Sequence, residues 1–462
     1  MEKQAEAARG AGMARNRMAT EPIPKLLITM GLPLMVSLLV QSLYNIVDSI
    51  FVARISEDAL AATSLAYPVQ MLMIALAVGT SVGINALLSR LLGQGKREEV
   101  SSAAVTGLFL SLASSLLFIL AAVFFVDPIA DLLAGGTASR DMCRTYLFIC
   151  MLLCTGTFLE TMVQRFLQAS GRTVLSMVSL VVGAGTNMIL DPIMIFGYFG
   201  CPAMGIRGAA IATVIGQWLG FFVALALNVF CNPDVRITLR GFRLQGSTVL
   251  AIYKVGLPTI VMQSIVSLMN FAMNALLVTF SSSAVAFFGV YYKLQNFLFM
   301  PINGLGQGAL PIIGFNFGAG NGERIKKTIR LCLIWGVGFA LLATLVFEVI
   351  PGPLLQMFNA SEDMLRIGIP AIRIIAAVFA LSAVTPLIGF CTSGLQNGVV
   401  NMVGAAIRQL VLLVPLAYIF SHSFGIGGTW YAFWIAEAVA ATYSILSLRH
   451  ELKKKVEPLL KD

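Results

Sequence analysis

The sequence predicts an all-α polytopic membrane protein whose twelve transmembrane helices form two pseudo-symmetric six-helix bundles in a parallel repeat. Three observations lead there. Apolar residues make up 58% of the chain and charged residues only 11%, whereas a soluble domain carries about 25% charged residues. Twelve apolar runs have the length, roughly 20 residues, that a helix needs to cross a bilayer. The second half of the chain also repeats the first at a nearly constant offset.

Residues 1–24 are polar, include Arg9, Arg15 and Arg17, and read as a cytoplasmic tail without fixed structure. The apolar run that follows is too long for the core of a cleavable signal. Spans then read 26–53, 59–91, 101–126, 143–167, 174–198 and 207–231, which make a first lobe over 25–231. A polar linker over 232–247 carries Arg236, Arg240 and Arg243. Spans 248–280, 284–316, 328–350, 364–390, 399–420 and 429–448 make a second lobe over 248–448, and residues 449–462 form a second cytoplasmic tail.

Basic residues sort by topology. With the N-terminus inside, the tail, the linker, Arg90, Lys96, Arg97, Arg165, Arg172, Lys254, the cluster Arg324, Lys326, Lys327 and Arg330, and the C-terminal lysines fall on the cytoplasmic side. Arg54, Arg140, Arg144, Arg207 and Arg366 fall outside. The positive-inside rule places both termini in the cytoplasm. The net charge of +9 is therefore topological and does not indicate a nucleic-acid partner.

A shift of 225 residues lays Gly31-Leu32-Pro33 on Gly256-Leu257-Pro258 and Asn45 on Asn270. Without a gap it lays Tyr67 on Tyr292, Gln70 on Gln295, Gly79 and Gly83 on Gly304 and Gly308, and Glu98 on Glu323. A shift of 223 pairs Ser170-Gly171 with Ser393-Gly394 and Pro192 with Pro415, and a shift of 220 pairs Gly205-Ile206 with Gly425-Ile426. Six spans per copy leave both copies in one orientation, and transporters of this kind bind their ligands near mid-membrane, between or within the halves.

Asp48 stands out because a charged side chain at the bilayer centre costs roughly 2.5–3.5 kcal/mol on insertion scales. Tyr44 at i−4 and Asn45 at i−3 share its helix face. Such a carboxylate is either neutralised by a structural hydrogen bond or binds and releases a proton or metal ion. A second intramembrane acid, Asp191, shares a face with Asn187 and precedes Pro192, whose missing N–H frees a backbone carbonyl one turn back. Freed carbonyls beside a carboxylate suit a small cation. Asp48 lies about 22 residues into its span and Asp191 about 18, so at ~1.5 Å per residue both fall in the outer half; Thr213 lies roughly 9 Å below the outer end of span six. These depths are compatible with one pocket. The duplicate half places Met273 opposite Asp48 and Val414 opposite Asp191, so the first lobe alone is expected to hold a coupling cation.

Other polar residues carry less weight. Glu160 is expected to pair with Arg90 or Arg165. Glu437, opposite Gln217 in the repeat, reads as a buried hydrogen-bonding residue. In span seven, Gln263, Asn270 and Asn274 interleave with Met262, Met269 and Met273. With Asn45 and Lys293, the residues Gln263, Asn270, Met273 and Asn274 are candidates for a substrate cavity, since methionine adapts to varied shapes; lipid or core packing suits each methionine as well, and a structural partner for a carbonyl is the other reading of Lys293. The seven cysteines lack partner ligands for a metal centre, and small apolar packing is their expected role. No Walker loop, HExxH or nucleophile elbow appears in a supporting context, so neither an enzyme nor an ATP-driven pump is expected.

Tyr44-Asn45-Ile46-Val47-Asp48, Asn187 with Asp191-Pro192, Gly208-Ala209-Ala210-Ile211-Ala212-Thr213 and the twelve-span repeat together resemble the multidrug and toxic compound extrusion (MATE) family, over residues 25–448. The resemblance implies alternating access and export of amphipathic, often cationic, drug-like molecules in exchange for H⁺ or Na⁺, in a prokaryotic plasma membrane. It implies a coupling site at Tyr44, Asp48, Asn187, Asp191 and Thr213, with Na⁺ held by Asp48, Asn187, Asp191 and Thr213 if Na⁺ is the ion. No cofactor beyond the coupling ion is expected, and the partners are small molecules and membrane lipid around a monomer. A lipid-linked oligosaccharide flippase of the same superfamily is the alternative, although such proteins often line their cavities with arginine, and an ion channel is a further one.

Overall fold

The computed structural model describes residues 16–239, 242–358 and 360–460. The expected tail segments 1–15 and 461–462, and Arg240 of the linker, lie outside the described residues. Each long apolar run is helical: α1 spans Ile23–Ala53, α2 Glu57–Gly93, α3 Arg97–Ala134, α5 Thr173–Phe196 and α6 Ile206–Cys231. In the second half, α7 spans Gly246–Leu277, α8 Ser282–Gly318, α9 Gly322–Val349, α11 Val399–Thr429 and α12 Ala432–Glu451. The remaining two spans, expected as single helices, are broken. Helix α4 joins Arg140–Leu152 to Thr155–Ala169 at 47°, and α10 joins Glu362–Ala376 to Phe379–Gly394 at 56°. Each break is held by the preceding helix. Thr155 Oγ1 donates to Ser115 Oγ of α3 at 3.1 Å, and Thr344 Oγ1 of α9 donates to the Ala376 carbonyl at 2.9 Å. At the second break Thr344 reaches a backbone carbonyl of the helical ladder, a cause of such bends.

The repeat is visible in backbone detail. Helices α2 and α8 both have 37 residues. Ser56 caps α2 by accepting from Ala59 N, and Ser281 caps α8 by accepting from Ala284 N. The offset of 225 persists beyond α4. Gly171 and Gln396 are both left-handed, with φ of 82° and 61°, and close equivalent turns onto the carbonyls of Gln168 and Ser393. Ser170-Gly171 therefore corresponds to Leu395-Gln396. The pairing with Ser393-Gly394 expected from residue identity is two positions out, because Gly394 is still helical.

By their contacts the described residues divide into two compact bodies. One is Val36–Gly256; the other contains the chain up to Met35 together with Leu257 onward. This division does not fall in the linker. Helices α1 and α7 each pass from one body to the other part-way along, beside the repeated Gly-Leu-Pro motifs whose Pro33 and Pro258 lie inside the helices. Within the second body, a Cβ on Gly308 of α8 would stand 2.9 Å from the Gly31 Cα, and one on Gly304 would stand 2.7 Å from Met35 N. Within the first, a Cβ on Gly256 of α7 would stand 2.8 Å from the Gly79 carbonyl oxygen of α2. Small residues let membrane helices touch backbone to backbone, so the repeated glycines are the seats on which α1 and α7 rest.

Residues 16–24 do not form a free tail. Asn16 caps a short helix, Arg17–Thr20, and Met18 is fully buried. Arg324 Nη2 donates to the carbonyls of Met18 and Glu21 at 2.9 and 2.8 Å, and Asn316 Nδ2 donates to Met18 at 3.3 Å. The polar composition that suggested disorder supplies an exposed face around one apolar anchor.

Candidate functional site

Helices α5 and α6 meet at two glycines in the body Val36–Gly256. A Cβ on Gly183 would lie 2.9 Å from the Gly216 carbonyl oxygen; one on Gly216 would lie 2.8 Å from that of Gly183 and 3.1 Å from the Asn187 Cβ. This approach brings the next polar residues of each helix together. Asn187 Nδ2 donates to Asp191 Oδ1 one turn on and to Thr213 Oγ1 of α6, each at 3.3 Å. All three residues are buried, Asp191 completely.

Helix α1 supplies the remaining members. Its Asp48 carboxyl lies within hydrogen-bonding reach of the Asp191 carboxyl, and the Tyr44 hydroxyl, one turn before, lies within electrostatic range of both acids. Three buried oxygens in this cluster, Asp48 Oδ1, Asp191 Oδ2 and Asn187 Oδ1, have no protein donor. In apolar surroundings, two adjacent carboxyls require a proton or a small cation between them. An all-oxygen set of carboxylates, an amide carbonyl and a hydroxyl fits either guest. Among the described residues no group of three or more His, Cys, Asp or Glu side chains is gathered as a metal centre.

The five residues singled out for ion coupling, Tyr44, Asp48, Asn187, Asp191 and Thr213, thus lie in one cluster. The sequence reading missed a neighbouring layer from α2 and α4. Gln70 Nε2 donates to the Tyr146 hydroxyl at 3.2 Å and approaches Cys150 Sγ at 4.0 Å, and both Tyr146 and Cys150 are within electrostatic range of Asp48. Recurrence of Gln70 as Gln295 was the available signal. Cys150 and Cys154, read as packing, are both part of the buried core, and Cys150 also borders this polar layer. Glu160 accepts from Gln164 Nε2 at 3.1 Å and lies beside Gly183 and Gly220, while Arg165 donates to Gln168 Oε1 at 2.6 Å.

The other body holds a separate, partly open cavity of about 260 Å³ among α7, α8, α10, α11 and α12. Of the six residues proposed for a substrate cavity, Gln263 alone lines it. Met273 is fully buried, because its face of α7 turns into the core. Asn270 donates to the Val266 carbonyl, and Asn45, Asn274 and Lys293 are exposed. What most distinguishes the cavity is an ion pair buried on its carboxylate side: Arg408 Nε donates to Glu437 Oε1 at 2.8 Å. Glu437 was expected to be a buried hydrogen-bonding residue; its partner was not foreseen.

Comparison with known proteins follows the same two-part division. The MatE family profile matches residues 33–193 and 258–419. The chain is 27% identical to "Multidrug export protein MepA" of Staphylococcus aureus over 436 residues, 92% of this chain and 93% of that one. It is 26% identical to the protein of the same name from Staphylococcus haemolyticus over 439 residues, 93% and 94% of the two chains. A solved structure described as the outward-facing conformation of a multidrug resistance MATE family transporter of the MOP superfamily superimposes with a TM-score of 0.89 at 25% identity, covering 96% of this chain and 98% of that one. A MOP superfamily transporter from Pyrococcus furiosus, described as having a binding pocket of reversed polarity, gives 0.88 at 25% identity, with 95% and 97% covered.

Proposed function

The chain belongs to the MatE family of integral membrane transporters, and on that premise we propose that it is a secondary active multidrug exporter driven by inward flow of H⁺ or Na⁺. The observation that carries the coupling half of this reading is the meeting of Asp48 and Asp191 beside Asn187 and Thr213. The two carboxyls, drawn from helices α1 and α5, hold one cation between them. A proton is shared between their facing oxygens; a Na⁺ ion takes oxygens from Asp48, Asn187, Asp191 and Thr213. Either guest cancels one of the two negative charges and, bound by both carboxyls, draws α1 toward α5. Its departure leaves two like charges adjacent in apolar surroundings, which favours their separation. A helix with one arrangement when loaded and another when empty is the element alternating access requires. Tyr44, one turn before Asp48 on the same helix face and within electrostatic range of both acids, orients the guest.

The exported compounds are amphipathic, often cationic, drug-like small molecules; the names borne by the staphylococcal relatives, multidrug export proteins, support the drug-like part of this reading. The distribution of basic residues supports cytoplasmic termini in a prokaryotic plasma membrane. The transporter is proposed to act as a monomer in lipid.

Inverted vesicles loaded under separately imposed proton and sodium gradients test the reading. Accumulation of a cationic dye is expected under one of the two gradients, and Asp48→Asn and Asp191→Asn are each expected to abolish it while the protein still inserts. Full export by both variants would refute the coupling role. Ion conduction without counter-transport would mark a channel instead.

A further inference from the structure

The cavity in the second body has a chemistry that the coupling site does not share. Four of its lining residues bury a polar atom that has no protein partner: Glu437 Oε2, Gln409 Oε1, Thr385 Oγ1 and the Tyr291 hydroxyl. These side chains are 2%, 8%, 3% and 1% exposed. The Glu437 and Gln409 oxygens can only accept hydrogen bonds, and the two hydroxyls can accept as well as donate. Buried acceptors without donors are rare in folded proteins, and each calls for an explanation. Here four of them share one cavity.

Backbone geometry points the same way. Residues Ile407–Leu413 of α11 form a π-helical stretch, and it carries both Arg408 and Gln409. A π-bulge sacrifices regular helical bonding and is frequent at functional sites. Phe288, Tyr291 and Phe433 also line the cavity, with Tyr291 6.2 and 6.3 Å from the other two ring centres. The cavity therefore combines aromatic rings with unpartnered acceptors. Because Arg408 and Glu437 are paired, its net charge is zero. It offers no bare attraction for any cation, and selection falls to hydrogen bonding.

We propose that this cavity is a ligand site for a flat or small organic cation bearing N–H groups, an amidinium, guanidinium or primary ammonium on an aromatic body, with Gln409, Thr385 and Glu437 accepting its N–H bonds. A quaternary ammonium of the same size has no N–H to give and is disfavoured. The aromatic body packs against Phe288, Tyr291 and Phe433. The site is distinct from the carboxyl pair, and its occupancy does not depend on an ion gradient.

The test is equilibrium binding to the purified full-length protein in lipid nanodiscs, by calorimetry, with two single-ring cations: benzamidine, which carries N–H donors, and benzyltrimethylammonium, which carries none. Benzamidine is expected to bind at least tenfold more tightly. Gln409→Met and Thr385→Val each replace an unpartnered acceptor with an apolar group of similar shape, so both variants are expected to fold. Each is expected to weaken benzamidine binding about tenfold and to leave benzyltrimethylammonium unchanged. Equal affinity for the two cations, or unchanged benzamidine affinity in both variants, overturns the proposal. Because no gradient is applied, that result leaves the coupling role of Asp48 and Asp191 untouched. Conversely, normal benzamidine binding by Asp48→Asn that no longer exports would separate the two sites.

Discussion

Gly183 and Gly216 face each other across α5 and α6 so closely that a methyl group on Gly216 would stand 2.8 Å from the Gly183 carbonyl oxygen. The buried triad of Asn187, Asp191 and Thr213 depends on this contact, because the hydrogen bond from Asn187 to Thr213 spans the same two helices.

Gly216→Ala is therefore expected to force the helices apart. Overpacking of this kind costs about 1–3 kcal/mol, which would appear as a lower unfolding temperature of the purified protein together with reduced export. Gly185→Ala, two residues along α5 from Gly183, where a Cβ meets nothing within 4 Å, is the control and should change neither.

Within the triad, Asn187→Ala removes the donor to both Asp191 and Thr213. Leaving buried acceptors unsatisfied costs about 1–3 kcal/mol. The variant should still insert and bind its coupling ion, but with a midpoint concentration raised roughly tenfold or more by the same argument. An ion-titrated flux assay reads this directly; an unchanged midpoint would show that Asn187 does not shape the ion site.

Arg324 anchors the segment before α1 through the carbonyls of Met18 and Glu21. In Arg324→Ala the short helix Arg17–Thr20 should come loose, since charge-assisted hydrogen bonds are worth about 1.5–3 kcal/mol. Faster amide exchange at residues 17–21 and faster trypsin cleavage after Arg17 are the expected results, with the rest of the protein unaffected.

The Arg408–Glu437 pair is buried on the carboxylate side. Removing one member leaves a buried charge unpaired, at a cost of about 3–5 kcal/mol, whereas replacing both by apolar residues of similar volume is often neutral. Arg408→Met should be markedly destabilised in a thermal unfolding assay, and adding Glu437→Met should restore much of the loss. Equal destabilisation by the single and double variants would show that the charges do not interact energetically.

The sequence by itself determined the membrane bundle, its count of spans, the twofold repeat and the confinement of two acids to one half. These follow from composition, from the length a helix needs to cross lipid and from the cost of a charge there, all of which are local properties of the chain. Spacing within one helix also put Tyr44 with Asp48 and Asn187 with Asp191, because residues four apart share a face.

Only the tertiary structure decided which faces meet. That Asp48 finds Asp191, that Gln70, Tyr146 and Cys150 back them, and that Arg408 neutralises Glu437 are relationships between helices far apart in the chain. They are set by helix rotation and by backbone contacts at particular glycines, and no periodicity records either. The same holds where α1 and α7 change body beside Pro33 and Pro258, and where Met18 docks beneath Arg324. A polar segment reads as loose until the fold brings to its carbonyls the arginine that binds them.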